Sequence, residues 1–201
     1  MSTSTTFDQI IALHKKYAPA DSVFESVFTH CKIVSDIAVQ LAKKSGVHVD
    51  IELVKAGCLL HDIGVYALFD ENGAEIDAGK YITHGVRGEE ILRNEGFAEQ
   101  YCRFASHHTG AGITKEQIRQ NNLPLPLSDY LAETPEEELV MYADKFHSKT
   151  KPPMFNSHKF YTNYSARFGT EAESRFANLT KKFGKPDLVP LIAAYRHGLR
   201  G

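Results

Sequence analysis

The segment AGCLLHDIGVY, residues 56–66, carries His61 and Asp62 directly after an apolar run. Imidazole and carboxylate groups bind metal ions and transfer protons, and both are costly to bury without a partner. The dipeptide alone is a weak motif, because a chain of 201 residues with ten histidines often contains an accidental His-Asp pair. Its meaning therefore depends on which other polar side chains the fold brings beside it.

Other imidazole and carboxylate groups occur where the sequence predicts an inward-facing stripe or a helix end. His30 falls on an apolar helical stripe and Asp144 has apolar neighbours, while His84 opens a helix and a His-His pair precedes a glycine turn. Each group would need a partner if it were buried, so we expect them to converge. The candidates are His30, His61, Asp62, His84, His107, His108 and Asp144.

The candidate set contains no thiolate, and imidazole with carboxylate suits Fe, Mn, Co, Zn or Ni rather than a structural zinc site. Two ions can be accommodated. One would be held by His30, His61, Asp62 and Asp144, and the other by His84 and His108, with Asp62 shared. Two divalent ions against two carboxylates leave surplus positive charge, which favours a bound hydroxide and an anionic substrate.

Helical periodicity dominates the elements that must position these groups. Helices are predicted at residues 7–17, 24–44, 50–68, 83–94 and 97–108, and the last helix at about 186–197. Capping boxes predict three further helix starts at Thr114/Gln117, Thr134/Glu137 and Thr170/Glu173. Strands are expected at most in a turn or hairpin at 70–80, so the predicted class is all-α. The basic, aromatic segment 148–168 is predicted to be a connector or a flexible flap.

Composition and charge limit the classes of partner. Hydrophobic residues make up 42% of the chain and the formal net charge is −2, which gives no global electrostatic case for a nucleic-acid polymer or an anionic membrane. The first residues, MSTSTTFDQ, lack the basic and apolar regions of a secretory signal, and the three cysteines show no CxxC spacing. We therefore expect a cytoplasmic protein with a small-molecule partner, and a homodimer is one candidate assembly.

The ordered set of candidates resembles the H…HD…H…H…D pattern of the HD-domain superfamily of metal-dependent phosphohydrolases. The HDIG form stands at residues 61–64, and HGVRGEEILRNEG, HHTGAGITKEQ and YLAETPEEELVMYADK look closest to small HDIG-domain proteins. The resemblance covers about residues 24–150. It implies a single HD domain over residues 1–201, built as an HD-domain helical bundle with additional C-terminal helices in a 151–201 extension.

The resemblance also implies a chemistry. The two extra histidines separate binuclear from mononuclear members of the family, so two divalent transition metal ions are implied, with Fe first, then Mn, and Zn, Co or Ni as further options. The implied reaction is hydrolysis of a phosphate ester or anhydride of a nucleotide-like substrate through a metal-bound hydroxide. Asp62 and His84 are the implied catalytic residues. Two alternatives remain, a di-iron HD-type oxygenase and a non-catalytic nucleotide-binding HD module.

Some positions are assigned by likeness to relatives or by departure from them. His108 precedes Thr-Gly as the ligand does in similar proteins, so His107 is kept as an extra ligand or as a group that hydrogen-bonds a ligand. Many relatives have a phosphate-binding lysine where this chain has Val65. Arg87 and Lys145 are the candidates to bind the substrate in its place.

The remaining histidines and aromatic residues have less specific interpretations. His147 is expected either to support a ligand or to end a helix. Four aromatic residues of segment 148–168 are expected to pack in the core, with stacking on a base as the alternative; they are Phe155, Phe160, Tyr161 and Tyr164. Four histidines are expected at the surface, namely His14, His48, His158 and His197.

Overall fold

The computed structural model describes residues 6–70, 72–75 and 78–201. Ten α-helices occur in these residues: α1 Phe7–Tyr17, α2 Asp21–Ser45, α3 Ile51–Leu60, α4 His84–Asn94, α5 Glu99–Ser106, α6 Lys115–Gln120, α7 Pro135–Asp144, α8 His158–Ser165, α9 Thr170–Phe183 and α10 Val189–Tyr195. Three short 3₁₀ segments are Ile63–Leu68, Ala78–Thr83 and Ala166–Phe168. The predicted all-α class is confirmed.

Helix α2 is the long element to which the others are attached. Its buried residues recur three or four positions apart and form one apolar stripe. This stripe contributes side chains to both hydrophobic clusters of the core. The helix ends at Gly46, which adopts a left-handed conformation (φ 70°) that glycine enters without a Cβ penalty. Asp50 then caps α3, since its carboxylate accepts hydrogen bonds from the backbone N–H groups of Glu52 and Leu53.

The C-terminal helices share a core with the motif-bearing helices. Tyr142 and Phe146 at the end of α7 lie 5.4 and 6.4 Å, by ring centroids, from Phe176 of α9. The Tyr142 hydroxyl donates to the backbone carbonyl of Gly184, 2.8 Å away. Residues beyond 150 are therefore held to the bundle by aromatic packing and a partly buried hydrogen bond.

The helix predicted at residues 50–68 is shorter than expected. α3 ends at Leu60, and the chain continues as the 3₁₀ segment Ile63–Leu68. Gly64 causes no fraying here, because it sits against α4: a Cβ at this position would lie 2.0 Å from the carbonyl oxygen of His84 and 2.3 Å from the nitrogen of Gly88. The close approach of α4 therefore requires glycine and holds the turn that follows His61 and Asp62.

The strands lie elsewhere than predicted. β1 (His147–Ser148) pairs antiparallel with β2 (Met154–Asn156), and β2 pairs in parallel with β3 (Gly198–Arg200). Segment 148–168 is thus a hairpin followed by α8, which corrects the interpretation as a connector or flap. In the 70–80 region the structure shows a turn and one bridge between Phe69 and Glu75. Residues 71, 76 and 77 of that prediction lie outside the described residues, as do residues 1–5 of the leader interpretation.

One of the three predicted capping boxes forms in full, at Thr114 and Gln117, and the other two do not. At the second, Thr134 still caps α7, but the Glu137 carboxylate binds Arg103 instead of the backbone N–H of Thr134. Gly169 precedes α9, so Thr170 is its first residue and not its cap. Within the described residues, no helix combines the length and apolar character needed to cross a bilayer.

Candidate metal centre

Six of the predicted ligands come together, with the carboxylate of Asp62 between the other five. One oxygen, Oδ2, lies 3.1 Å from His30 Nε2 and 3.4 Å from His61 Nε2. The other oxygen, Oδ1, lies 3.4 Å from His84 Nε2 and 3.6 Å from His108 Nε2. The two oxygens of one carboxylate thus face two separate pairs of imidazoles.

The carboxylate of Asp144 joins the first of these pairs. Its Oδ1 lies 3.0 Å from His30 Nε2 and 3.5 Å from His61 Nε2. Three overlapping groups have donor atoms within 4.8 Å of one another: His30 with His61 and Asp62, His61 with His108 and Asp144, and Asp62 with His84 and His108. These spacings are short enough for shared cations.

Small residues let the helices that carry these groups approach closely. A Cβ on Gly57 of α3 would lie 2.7 Å from the Phe104 ring of α5. A Cβ on Gly85 of α4 would lie 2.9 Å from the backbone oxygen of Ala105, again on α5. As a result His84, at the start of α4, meets His108, just beyond α5, with their Nε2 atoms 2.9 Å apart.

The imidazoles are oriented for metal binding. In three of the four, Nδ1 faces a backbone carbonyl oxygen: His61 faces Cys58 at 2.7 Å, His84 faces Tyr81 at 2.6 Å and His108 faces Ala105 at 2.7 Å. A carbonyl oxygen only accepts, so each Nδ1 donates and, in the neutral imidazole, each Nε2 presents a lone pair. Lone pairs that face one another across 2.9 Å repel unless a cation lies with them. The donor set therefore fits a divalent metal.

The electrostatics of the cluster favour added positive charge. Burial, reinforced by the neighbouring His108, lowers the pKa of His84 to about 3, and burial also lowers the pKa of His108. For His61, burial would lower the pKa, but the Asp62 carboxylate raises it well above the ordinary value. The pKa of Asp62 is held well below its usual range because the Lys149 ammonium and His61 outweigh its burial.

Two lysines add charge beside the carboxylates. Lys145 Nζ donates to Asp144 Oδ2 at 2.6 Å and to the backbone oxygen of His108 at 2.8 Å. Lys149, in the loop between β1 and β2, forms an ion pair with Asp62. Lys145 is among the residues predicted from the sequence, and Lys149 is not. The only local sign of Lys149 was the basic character of segment 148–168.

The centre opens into a cavity of about 340 Å³, a size typical of small-molecule sites. Its buried end contains five of the six ligands, and His61 lies behind them. The lining also includes Lys145, Lys149 and Arg200. Arg87, a candidate for substrate binding, lies outside this lining; its Nε donates to the Thr83 hydroxyl 3.0 Å away.

His107 also turns away from the cluster. Its Nδ1 lies 2.6 Å from the Ser106 hydroxyl, and its ring packs 5.7 Å from that of Tyr130. It belongs to none of the groups of donor atoms close enough to share an ion and does not line the cavity. Its neighbour His108 points into the centre because successive residues at the end of α5 face different directions.

The other histidines match their expected positions only in part. His147 begins β1 instead of ending α7, and its Nδ1 lies 2.8 Å from His30 Nδ1. His197 lies 3.0 Å from His147 Nε2 and is half-buried. The expected exposure is wrong for His14, which is fully buried, and for His158, which is half-buried beside Thr180. His48 is exposed as predicted.

Comparison with known proteins agrees with this architecture. The HD domain family matches residues 27–149. An uncharacterized protein of Methanocaldococcus jannaschii is 45% identical over 130 residues, which are 63% of this chain and 69% of that protein. The tRNA (cytidine(56)-2'-O)-methyltransferases of Thermoplasma volcanium and Picrophilus torridus are 35% and 34% identical over 83% and 62% of this chain. The chain spans only 43% and 32% of those two proteins.

Solved structures show the same fold. The HD domain of the L. monocytogenes phosphodiesterase PgpH, in complex with cyclic-di-AMP, superposes with a TM-score of 0.54 at 18% identity, over 96% of this chain and 99% of that one. A second structure of that domain gives 0.55 at 17% identity, over 92% and 98%. Because the family match spans more than half of the chain and includes the residues of the candidate centre, this protein belongs to the HD domain family.

Proposed function

We propose that this protein is a metal-dependent phosphohydrolase with a two-ion centre, acting on a phosphate ester or anhydride of a nucleotide-like substrate. The observation that carries the proposal is the position of Asp62, whose two carboxylate oxygens face two different pairs of imidazoles. A carboxylate between two histidine pairs is suited to bridge two cations.

The ligands divide between two ions. His30, His61 and Asp144 would hold the first and His84 with His108 the second, while Asp62 is shared. When bound, divalent ions would neutralise charge on a phosphoryl group and acidify a water molecule. Fe or Mn suits this mixture of imidazole and carboxylate, and Zn, Co and Ni are further options. Asp62 and His84 are proposed as the groups that contact the reacting atoms.

The cations of the cavity favour an anionic substrate. Lys145 and Lys149 lie beside the two carboxylates, and Arg200 lines the same cavity. The two lysines would bind phosphoryl oxygens, Arg200 adds positive charge to the same cavity, and a neutral substrate has no comparable partner for them. In this proposal Lys149 and Lys145 bind the phosphate in place of the lysine that relatives carry at the position of Val65.

The relatives support the class of substrate rather than a particular one. Cyclic-di-AMP, the ligand named for the PgpH domain, is a nucleotide with phosphodiester bonds. The methyltransferase activity named for two relatives lies outside the proposal, since this chain spans less than half of either protein. Oxygen activation is the competing use of such a centre, and the cationic cavity favours hydrolysis over it.

The test is a panel of nucleotides and simple phosphoesters incubated with protein loaded with Mn²⁺ or, without oxygen, Fe²⁺. We expect phosphate or nucleotide release from at least one compound, and a decrease of roughly 10³-fold in Asp62→Asn. Asp8→Asn, an exposed aspartate in the first turn of α1, is the matched control. Unchanged turnover in Asp62→Asn, or oxygen consumption without hydrolysis, would refute the assignment.

A further inference from the structure

Helix α8 sorts its aromatic residues into two environments. Tyr161 is buried, and its ring lies 4.9 Å from that of Phe176 in the core. Phe155, on β2, is fully buried as well. Phe160 and Tyr164, one turn apart on α8, are less buried than Tyr161, and all three line the cavity of the candidate metal centre. The expected core packing therefore holds for two of these four aromatic residues, while the other two leave apolar surface at the cavity.

The rings of Phe160 and Tyr164 and the guanidinium of Arg200 stack against one another at the cavity. The rings of Phe160 and Tyr164 are nearly parallel, at 13°, with centroids 6.0 Å apart. The guanidinium of Arg200 lies 5.1 Å from the centroid of the Phe160 ring and donates to the Thr150 hydroxyl. We call Phe160, Tyr164 and Arg200 the aromatic shelf. Aromatic rings and guanidinium planes are the groups on which proteins stack nucleobases.

The backbone holds this surface in place. Arg200 ends β3 and lies in register with Asn156 of β2, and its carbonyl accepts from the backbone N–H of Ser157 at 2.8 Å. Ser157 in turn caps α8, which carries both rings. The shelf is therefore built by residues 156–200, beyond the region that the HD domain family matches. It is a feature of this chain's extension rather than of the candidate ligand residues.

Depth and charge separate the two ends of the cavity. Asp62 and His84 are 1% and 4% exposed, whereas Tyr164 is 37% exposed. The buried end holds the candidate ligands with two lysines, and the outer end holds the shelf. An occupant that matches both ends must carry an anion at one end and a planar group at the other. A simple phosphate would leave the shelf uncovered, and a neutral aromatic molecule would offer no anion to the metal centre and its lysines.

We propose that the aromatic shelf is the base-binding subsite of this protein, and that it selects nucleotides over other phosphate esters. The phosphate lies toward Lys145 and Lys149, and the base stacks on Phe160, Tyr164 and Arg200. The inference rests on the proposed function for the phosphate end, but it assigns the choice of substrate to the C-terminal extension.

Binding can be measured without turnover. The probes are AMP, GMP, CMP and UMP, each compared with ribose 5-phosphate, which has the same phosphate and sugar but no base. In titration calorimetry with the 201-residue chain, we expect at least one mononucleotide to bind about tenfold more tightly than ribose 5-phosphate, within the range attributed to base stacking.

The decisive variant is Phe160→Leu/Tyr164→Leu, which keeps apolar volume and removes both rings. We expect it to lose the preference for a base to within about twofold while its affinity for ribose 5-phosphate is unchanged. Phe7→Leu is the control, since Phe7 is also an exposed aromatic residue (52%) and does not line the cavity. Tyr164→Leu alone serves if the double variant does not fold by circular dichroism.

The outcomes separate this inference from the proposed function. Equal affinity of wild-type protein for ribose 5-phosphate and all four mononucleotides overturns the shelf, as does a preference that survives in the leucine variant. Hydrolysis of a phosphoester together with either result leaves the proposed function standing. A shelf-dependent preference without hydrolysis of any compound supports the subsite and refutes the phosphohydrolase.

Discussion

Two histidine environments in this protein are both buried and differ in what they can do. His14, on α1, is fully buried, with its Nε2 2.7 Å from the backbone oxygen of Leu59 and its Nδ1 2.8 Å from the Tyr66 hydroxyl. Since the carbonyl can only accept, Nε2 donates to it and Nδ1 accepts from the tyrosine. Both nitrogens are satisfied by the protein, so the site needs no ion.

The histidines of the metal centre are satisfied on one side only. His84 and His108 each donate from Nδ1 to a backbone carbonyl, as His14 does from its Nε2, but their Nε2 atoms face each other and Asp62. The difference teaches that burial does not identify a ligand histidine. The informative feature is a second nitrogen whose neighbours are other lone pairs and carboxylates.

The largest expected effect is a loss of hydrolysis when His84 is replaced, compared with a loss of stability alone when His14 is replaced. We expect His84→Gln to lower Mn²⁺-dependent hydrolysis by roughly 10²–10³-fold, because it removes one ligand of the proposed second ion. His14→Gln should leave the rate within about twofold and lower the free energy of unfolding by about 1–3 kcal/mol, since it disturbs two buried hydrogen bonds. Initial rates and urea unfolding measure the two quantities. Equal losses of activity in both variants would break the comparison.

A pH dependence of stability should mark the satisfied site. Burial lowers the pKa of His14 to about 4 from an ordinary value of 6.5. Between these values the unfolded chain binds more protons than the folded chain, so the free energy of unfolding falls as the pH drops from 6.5 to 4. The full effect is about 3 kcal/mol. Urea unfolding at several pH values measures the free energy of unfolding. Between pH 6.5 and 4 it should decrease by about 3 kcal/mol less in His14→Gln than in wild type, and identical profiles would contradict the assignment.

A smaller effect on metal affinity is expected from His147, which supports the candidate ligand His30. His147 contacts His30 Nδ1, on the side away from the carboxylates, and so would orient that ligand. We expect His147→Leu to weaken Mn²⁺ binding by about 10–100-fold, the range typical of groups that support a metal ligand. His147→Asn, whose amide oxygen can still accept, should recover part of the affinity. Calorimetric titration measures the Mn²⁺ affinity of each variant. An unchanged affinity in His147→Leu would exclude a positioning role for His147.

The smallest expected effect concerns His107, next to a proposed ligand in the chain but turned toward Ser106 and Tyr130. His107→Gln should keep metal affinity and hydrolysis within about twofold of wild type. Metal content by mass spectrometry after gel filtration, together with initial rates, tests this. Loss of one ion per chain in this variant would restore His107 as a ligand.

Much of the fold follows from local signals. The apolar stripe of α2, the glycine that ends it and the aspartate that caps α3 are read correctly because each acts within a few residues of the chain. The end of α3 is not, because Gly64 is required by a helix more than twenty residues later and not by its neighbours. The strands escape prediction because each has only two or three residues and shows no alternation.

By itself, the sequence determined the helical class and six of the side chains that converge, since inward-facing polar residues on apolar stripes must meet partners in the bundle. Only the tertiary structure decided which buried histidines lack a second partner, that Lys149 reaches Asp62 across 87 positions, and that Phe160 and Tyr164 face the cavity. These contacts join residues far apart in the chain. No local periodicity encodes them, because their geometry depends on how whole helices pack.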